Sequence, residues 1–142
     1  MRVVRETLTI DTRENQQFID ITNQVREVVC RSGVRNGMLV VNSIHTTLGL
    51  FVKEFQSALI DDLGDLLQKL VPCRAGYLHD DPRYSDCERR NAHAHLRSVL
   101  LGRSLSLAVA EGEPVLAQFE SIIAAELDGP RNRRVSAQVM GE

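Results

Sequence analysis

Apolar and polar positions alternate along Val3–Thr12 and again along Ser104–Ala110. A period of two marks a strand with one buried face, so both stretches are predicted strands. Gln17–Ile21 is a second short strand after the polar turn Arg13–Gln16, and a hairpin with the first is expected. Val25, Val28 and Val29 then recur at helical spacing; Thr22 is placed to cap that helix and Gly33 to end it. Met38–Ile44 is a dense apolar run, expected to be a strand buried on both faces. Leu48–Lys53 continues as strand. Phe55, Leu59, Leu63, Leu66, Leu67 and Leu70 give the clearest amphipathic helix, closed by Pro72. Cys73–Arg90 is polar and irregular, a long loop of the kind that is functional or disordered.

Asn91–Gly102 is the next predicted helix. Leu96, Val99 and Leu100 are expected to anchor it, Asn91 and His95 to share a face, and His93 to point into solvent. After Ser104–Ala110 come a turn at Glu111–Glu113, short strands at Val115–Phe119 and Ser121–Leu127, a strong turn at Asp128-Gly129-Pro130, and a last strand over Arg133–Val139. The sum is about three helices and about seven or eight strands joined by tight turns. That is an α+β fold, mainly antiparallel sheet or sandwich. No repeat, linker or low-complexity tract divides residues 1–142, so one domain is expected.

Composition narrows the function. An apolar fraction of 43% and a net charge of -2 are those of an ordinary globular protein, with no overall basic surface for nucleic acid. Tryptophan is absent and aromatics are 4%, so base stacking is poorly served. No apolar run approaches the roughly 18 residues of a membrane span. The first residues lack the apolar core of a signal peptide. The three cysteines, Cys30, Cys73 and Cys87, form no C-x-x-C pair. A cytoplasmic, reducing location is therefore expected.

The candidate chemistry lies in histidines far apart along the chain. His45 ends a buried-type strand and precedes Thr46 and Thr47; His79 lies in the long loop; His95 lies on a helix. Each has a plain structural alternative: a strand-end or core histidine satisfied by one hydrogen bond, or a solvated loop residue. Brought together, His45, His79 and His95 are compatible with a metal site, which needs three or four converging donors. Glu126 and Asp128 flank a turn, either as exposed charges or as carboxylates that orient a histidine or accept a proton. Arg131, Arg133 and Arg134 follow, either a solvated charge run or a clamp for phosphate oxygens.

The run His45-Thr46-Thr47-x-Gly49-Leu50, with Glu54 beyond it, resembles a motif of the YjbQ-like family. Four more pieces agree in order: Leu70-Val71-Pro72; Tyr77-x-His79-Asp80; Asn91-Ala92-x-Ala94-His95-Leu96 with Leu101-Gly102; and Glu126-x-Asp128-Gly129-Pro130-Arg131. The resemblance covers Thr22 to Val139. It implies a compact antiparallel α+β fold, a homotrimer, and a pocket lined by His45, His79 and His95 with a metal site. Members carry the label secondary thiamine-phosphate synthase, for joining a thiazole phosphate to a pyrimidine diphosphate. The chain departs from the family at Lys53 (usually Asn), His93 (often Pro), and Phe119-Glu120, where a Trp-Gln pair is usual. These departures are expected near the pocket and bear on the substrate more than on the fold.

The leading expectation is thus a small transferase-like enzyme. His45, Asn91, Glu126 and Asp128 would act at the reacting centre. Thr46, Thr47 and Arg131 would hold phosphate. His45, His79 and His95 would bind a divalent metal, zinc or, with a diphosphate substrate, magnesium, which would take up charge on the departing group. The alternative is a trimer that binds a metal or phosphorylated metabolite without turnover.

Overall fold

Alternation along the first predicted strand becomes β1 (Arg2–Asp11), with Leu8 and Ile10 turned inward. The computed structural model describes residues 1–142. After β1 come β2 (Gln17–Asp20), α1 (Thr22–Ser32), β3 (Gly37–Ser43), β4 (Leu48–Glu54) and α2 (Ser57–Leu70). A 3₁₀ turn, Leu78–Asp80, interrupts the long loop. Then follow α3 (Ala92–Leu101), β5 (Ser104–Ala110), β6 (Glu113–Pro114), β7 (Glu120–Glu126) and β8 (Asn132–Gly141). The fold is α+β, and every strand pair is antiparallel.

Two sheets stack. One is ordered β1-β8-β3-β5-β6 and the other β2-β7-β4. The main core fills the space between them, with Val25, Val28 and Val29 of α1 joining Leu39, Val41, Leu48, Ile122 and Val135. Helices α2 and α3 cover the outer face of the smaller sheet, where Leu67, Ala94, Ala125 and Leu127 form a second cluster. Phe18 and Phe51 meet edge to face within that layer, ring centroids 6.1 Å apart. No helix is long and apolar enough to cross a membrane.

Several local expectations change once sheets form. β2 pairs with β7, not with β1, because Thr12–Gln16 carries the chain across to the other sheet. Thr12 N–H there bonds Arg131 O at 2.9 Å, and Gly129 N–H bonds Asn15 O at 2.9 Å. Thr22 does not cap α1: its hydroxyl donates to Asp20 and accepts from Ile122 N–H, tying the helix start to β7. Gly33 does end α1, at φ 71° in the left-handed region.

The run Met38–Ile44 is buried on one face only; Leu39 and Val41 of β3 are inside, while Met38 and, just past the strand, Ile44 are exposed. The strand buried on both faces is β7, the middle of the smaller sheet, sandwiched between the core and the helices. Val115–Phe119 is not a strand: pairing ends at Pro114, and Glu120 folds back to accept Ala117 N–H.

The face of α3 is also rotated from the expected one. Leu96, Val99 and Leu100 are exposed, whereas Ala92, His93, Ala94, Arg97 and Ser98 are buried. Small Ala94 allows close approach to Leu67 and Ala125, and Arg97 can be buried because its donors are met. Its guanidinium bonds Val71 O, Gln16 and Gln68. Apolar periodicity alone cannot anticipate an arginine that finds carbonyl partners.

Ile122 is fully buried in the main core. Ile122→Ala should cost about 3 kcal/mol of unfolding free energy, read from urea denaturation; a loss below about 1 kcal/mol would contradict this packing.

Candidate functional site

The β3–β4 turn carries His45. Ser43 Oγ shapes it, accepting His45 N–H at 3.3 Å and donating to His45 O at 3.2 Å. The ring then points at β8, and its Nε2 accepts Arg134 N–H at 2.9 Å. A neutral imidazole that accepts at Nε2 carries its proton on Nδ1. Burial, and then the Arg133 guanidinium, hold His45 below the usual histidine range.

His95, on α3, lines the same cleft, about 610 Å³ in volume, together with Ile44, Thr46, Ser98 and Arg103. Burial and the neighbouring His79 keep His95 below its usual range as well. The His79 ring stands 4.9 Å from that of His95, centroid to centroid, tilted by 60°. Its Nδ1 is buried and has no partner. The 3₁₀ turn bearing His79 is fastened by Asp80, which accepts Ala92 N–H at 3.0 Å.

Beneath the histidines lies a buried ionic bed. Glu126 is fully buried and grips Arg133, itself 1% exposed, in a fork: Nε to Oε1 at 2.8 Å and Nη2 to Oε2 at 2.5 Å. Thr12 donates to Glu126 at 2.7 Å, and Asp128 N–H at 3.1 Å. Arg133 Nη2 also donates to Thr47 Oγ1 at 2.7 Å. Asp128 Oδ2 accepts from Arg89 Nε at 2.7 Å, Asn91 Nδ2 at 2.8 Å and Arg131 Nη2 at 3.0 Å.

Of the sequence candidates, His45, His95 and Thr46 face one cleft, and His79 packs on His95. The positive charge of Arg131 acts on both His45 and His95. Thr47 is buried, its hydroxyl taken by Arg133. Asn91 bonds Asp128 through its side chain, and neither Glu126 nor Asp128 hydrogen-bonds a histidine. No three His, Cys, Asp or Glu side chains converge as metal donors. With His45 Nε2 already engaged, the residues as placed do not fit a resident metal ion.

The departures from the family pattern fall away from the cleft. Phe119, Glu120 and Lys53 lie at the end of the smaller sheet opposite Glu126, and His93 faces Cys73. The residue missed in sequence is Arg133 as a core partner. Its signal was present: Val135, Ala137 and Val139 point inward on alternate positions, and Arg133 continues that row.

A small antiparallel sandwich with a histidine-lined cleft over a buried ion-pair bed is thus the class of protein. The sequence profile described as "UPF0047 protein YjbQ-like" matches residues 6–142, and the chain belongs to this family. A UPF0047 protein of Methanothermobacter thermautotrophicus is 41% identical over 142 residues, covering 100% of this chain and 95% of the relative. The Bacillus subtilis UPF0047 protein YugU is 29% identical over 136 residues, covering 96% and 98%. A crystal structure from Sulfolobus solfataricus, described as a YbjQ-like protein of unknown function, superimposes with a TM-score of 0.92. It is 28% identical, with 99% of each chain covered.

The pH dependence of stability follows from the bed. Burial opposes charge on Glu126 and on Asp128. Arg133, Thr12 and the Asp128 N–H outweigh it for Glu126, and Arg89 with Asn91 for Asp128, so both carboxyls sit below the ordinary range. Their contribution is complete above the unfolded carboxylate values and is lost as pH falls through the lower native ones. His45, His93 and His95 are also lowered, chiefly by burial, so the unfolded chain takes up protons first as pH falls below about 6.5. Both sets act in one direction. Urea midpoints should fall steadily from about pH 6.5 to about pH 3, and a flat profile would contradict the bed.

Proposed function

We propose that the cleft between His45 and His95 binds the phosphate end of a small phosphorylated metabolite. The observation that carries this is the placement of two neutral imidazoles in one cleft, under the positive charge of Arg131. With Nε2 accepting from Arg134, His45 Nδ1–H is a donor; Thr46 and Arg103 supply others. Such donors can take up charge on a departing diphosphate.

The family's transferase label is chemically compatible with this reading. A thiazole ring nitrogen attacks with a lone pair and gives up no proton, so the reaction needs no general base. That matters because Glu126 and Asp128 are both held by guanidinium groups. Magnesium would enter bound to the diphosphate, as part of the ligand. A binding role without turnover uses the same contacts.

Inorganic pyrophosphate, followed by isothermal titration calorimetry, is the first probe. Saturable binding is expected, weakened about tenfold or more in Arg131→Gln and in His95→Ala. Full-strength binding by both variants would sink the proposal. Product from thiazole phosphate and pyrimidine diphosphate would support turnover; binding without product would support the binding role.

The same reading takes the family's homotrimer as the working assembly. On the outer face of the larger sheet, Val3, Met140, Met38 and Ala108 form an apolar row across four paired strands. Val3 and Met38 are exposed there, and so is Ile44 at the cleft. Covering that row would bury the outer face of the larger sheet against a second copy. Sedimentation equilibrium should give three times the chain mass, and a monomer at micromolar concentration would argue against it.

A further inference from the structure

We propose that a second cleft, floored by Arg97 and rimmed by Glu14, Asp61 and Asp65, binds a free amino acid with a basic side chain. The cleft holds about 670 Å³, within the span of about 300–1,000 Å³ usual for small-molecule sites. It lies between α2 and the segment that leads from β1 into β2. Arg97 is two positions from His95, so the two side chains leave α3 on opposite sides and serve different clefts. The proposal is therefore independent of the phosphate site.

Arg97 is the residue that points to a ligand. It is 6% exposed and lines the cleft. Its acceptors are Val71 O, Gln16 Oε1 and Gln68 Oε1, all neutral, and it forms no ion pair. Each guanidinium nitrogen is held, yet Nη1 has one acceptor for its two N–H groups. A buried cation without a counter-charge is costly. A carboxylate brought to Nη1 would supply the charge and the acceptor together.

Glu14, Asp61 and Asp65 line the same cleft, and none of them is in an ion pair. Asp61 and Asp65 stand one turn apart on α2, where like charges repel. Floor cation and rim anions thus share a cleft without neutralising one another. A bare anion is repelled at the rim, and a bare polyamine meets Arg97. One carboxylate with two ammonium groups answers both, and that is an amino acid of the lysine or ornithine type. Phe18 and Ile60 line the cleft and suit its aliphatic stem. Gly64, inside α2, leaves the space open, although glycine weakens a helix relative to alanine. Packing does not demand it: an added Cβ would meet Gln16 Nε2 at 3.6 Å, an ordinary contact. A longer side chain there would enter the cleft.

L-Lysine is titrated calorimetrically into the intact protein in about 0.15 M salt, which screens loose surface attraction. Saturable binding at low millimolar concentration or below is expected. Cadaverine, which lacks the carboxylate, and norleucine, which lacks the side-chain ammonium, should each bind about tenfold or more weakly. Gly64→Leu should lose lysine binding while its urea midpoint holds or rises, because leucine is the better helix former. Asp65→Asn should weaken lysine binding about tenfold. Absence of saturable lysine binding would overturn the proposal. So would cadaverine binding as tightly as lysine, the mark of an acidic surface that only collects cations, or norleucine doing the same. Full-strength lysine binding by a folded Gly64→Leu would overturn it too; if that variant unfolds, Asp65→Asn decides, and undiminished binding there is fatal.

Discussion

The forked ion pair between Glu126 and Arg133 is the constraint on which the site depends. Glu126 ends β7 of the smaller sheet and Arg133 begins the inward row of β8 in the larger one. Their bond therefore joins the two sheets at one end of the core. Two buried charges cost several kcal/mol to desolvate, and only good geometry with every remaining lone pair satisfied offsets that. Here it is satisfied: Thr12, Thr47 and the Asp128 N–H complete the set. Such a pair adds little net stability over an apolar core. What it adds is definition, because the charges tolerate one arrangement of β1, β4, β7 and β8.

That arrangement positions the histidines. Thr47 is held by Arg133, so the turn containing His45 cannot drift from the sandwich. On the far side of the β7–β8 turn, Asp128 gathers Arg89 from the long loop, Asn91 from the start of α3 and Arg131 from its own turn. The loop that carries His79 and the helix that carries His95 are thus fixed through one carboxylate. Thr12, the Arg89–Asn91 stretch and the start of β8 thus meet at two acidic residues two positions apart. Carboxylates buried under guanidinium partners act here as anchors.

Legibility in the sequence followed the range of the interactions. The strands β1 and β5, the helices α1 and α2 and the ends at Gly33 and Pro72 were readable because period and turn chemistry are local. The partner of β2 was not, since a hairpin and a crossing between sheets share the same short turn. The buried face of α3 was misjudged because Leu96, Val99 and Leu100 suggested one stripe while Ala94 and Arg97 took the interior. Tertiary partners decided that: carbonyls and amides at Val71, Gln16 and Gln68 exist only after folding. Gathering His45 with His95 was foreseeable from the ordered motifs, but the hydrogen bond from Arg134 to His45 depends on a register that no spacing reveals.

The electrostatics of the cleft follow from the same bed. Arg131, Arg133 and Arg134 crowd His45, and Arg131 also reaches His95, while the nearest carboxylates are already neutralised by arginines. Cationic imidazoles there would add like charge to a positive region with restricted solvent, so the neutral forms prevail. A neutral ring keeps one donor and one acceptor, and a positive field with directional donors suits an anion whose oxygens arrive already ionised. An incoming phosphate would in turn favour protonation of the rings it touches, because its charge opposes the arginines. In the proposed complex, ligand and proton uptake would be coupled through the histidines, with the buried carboxylates held out of the exchange by the arginines that grip them.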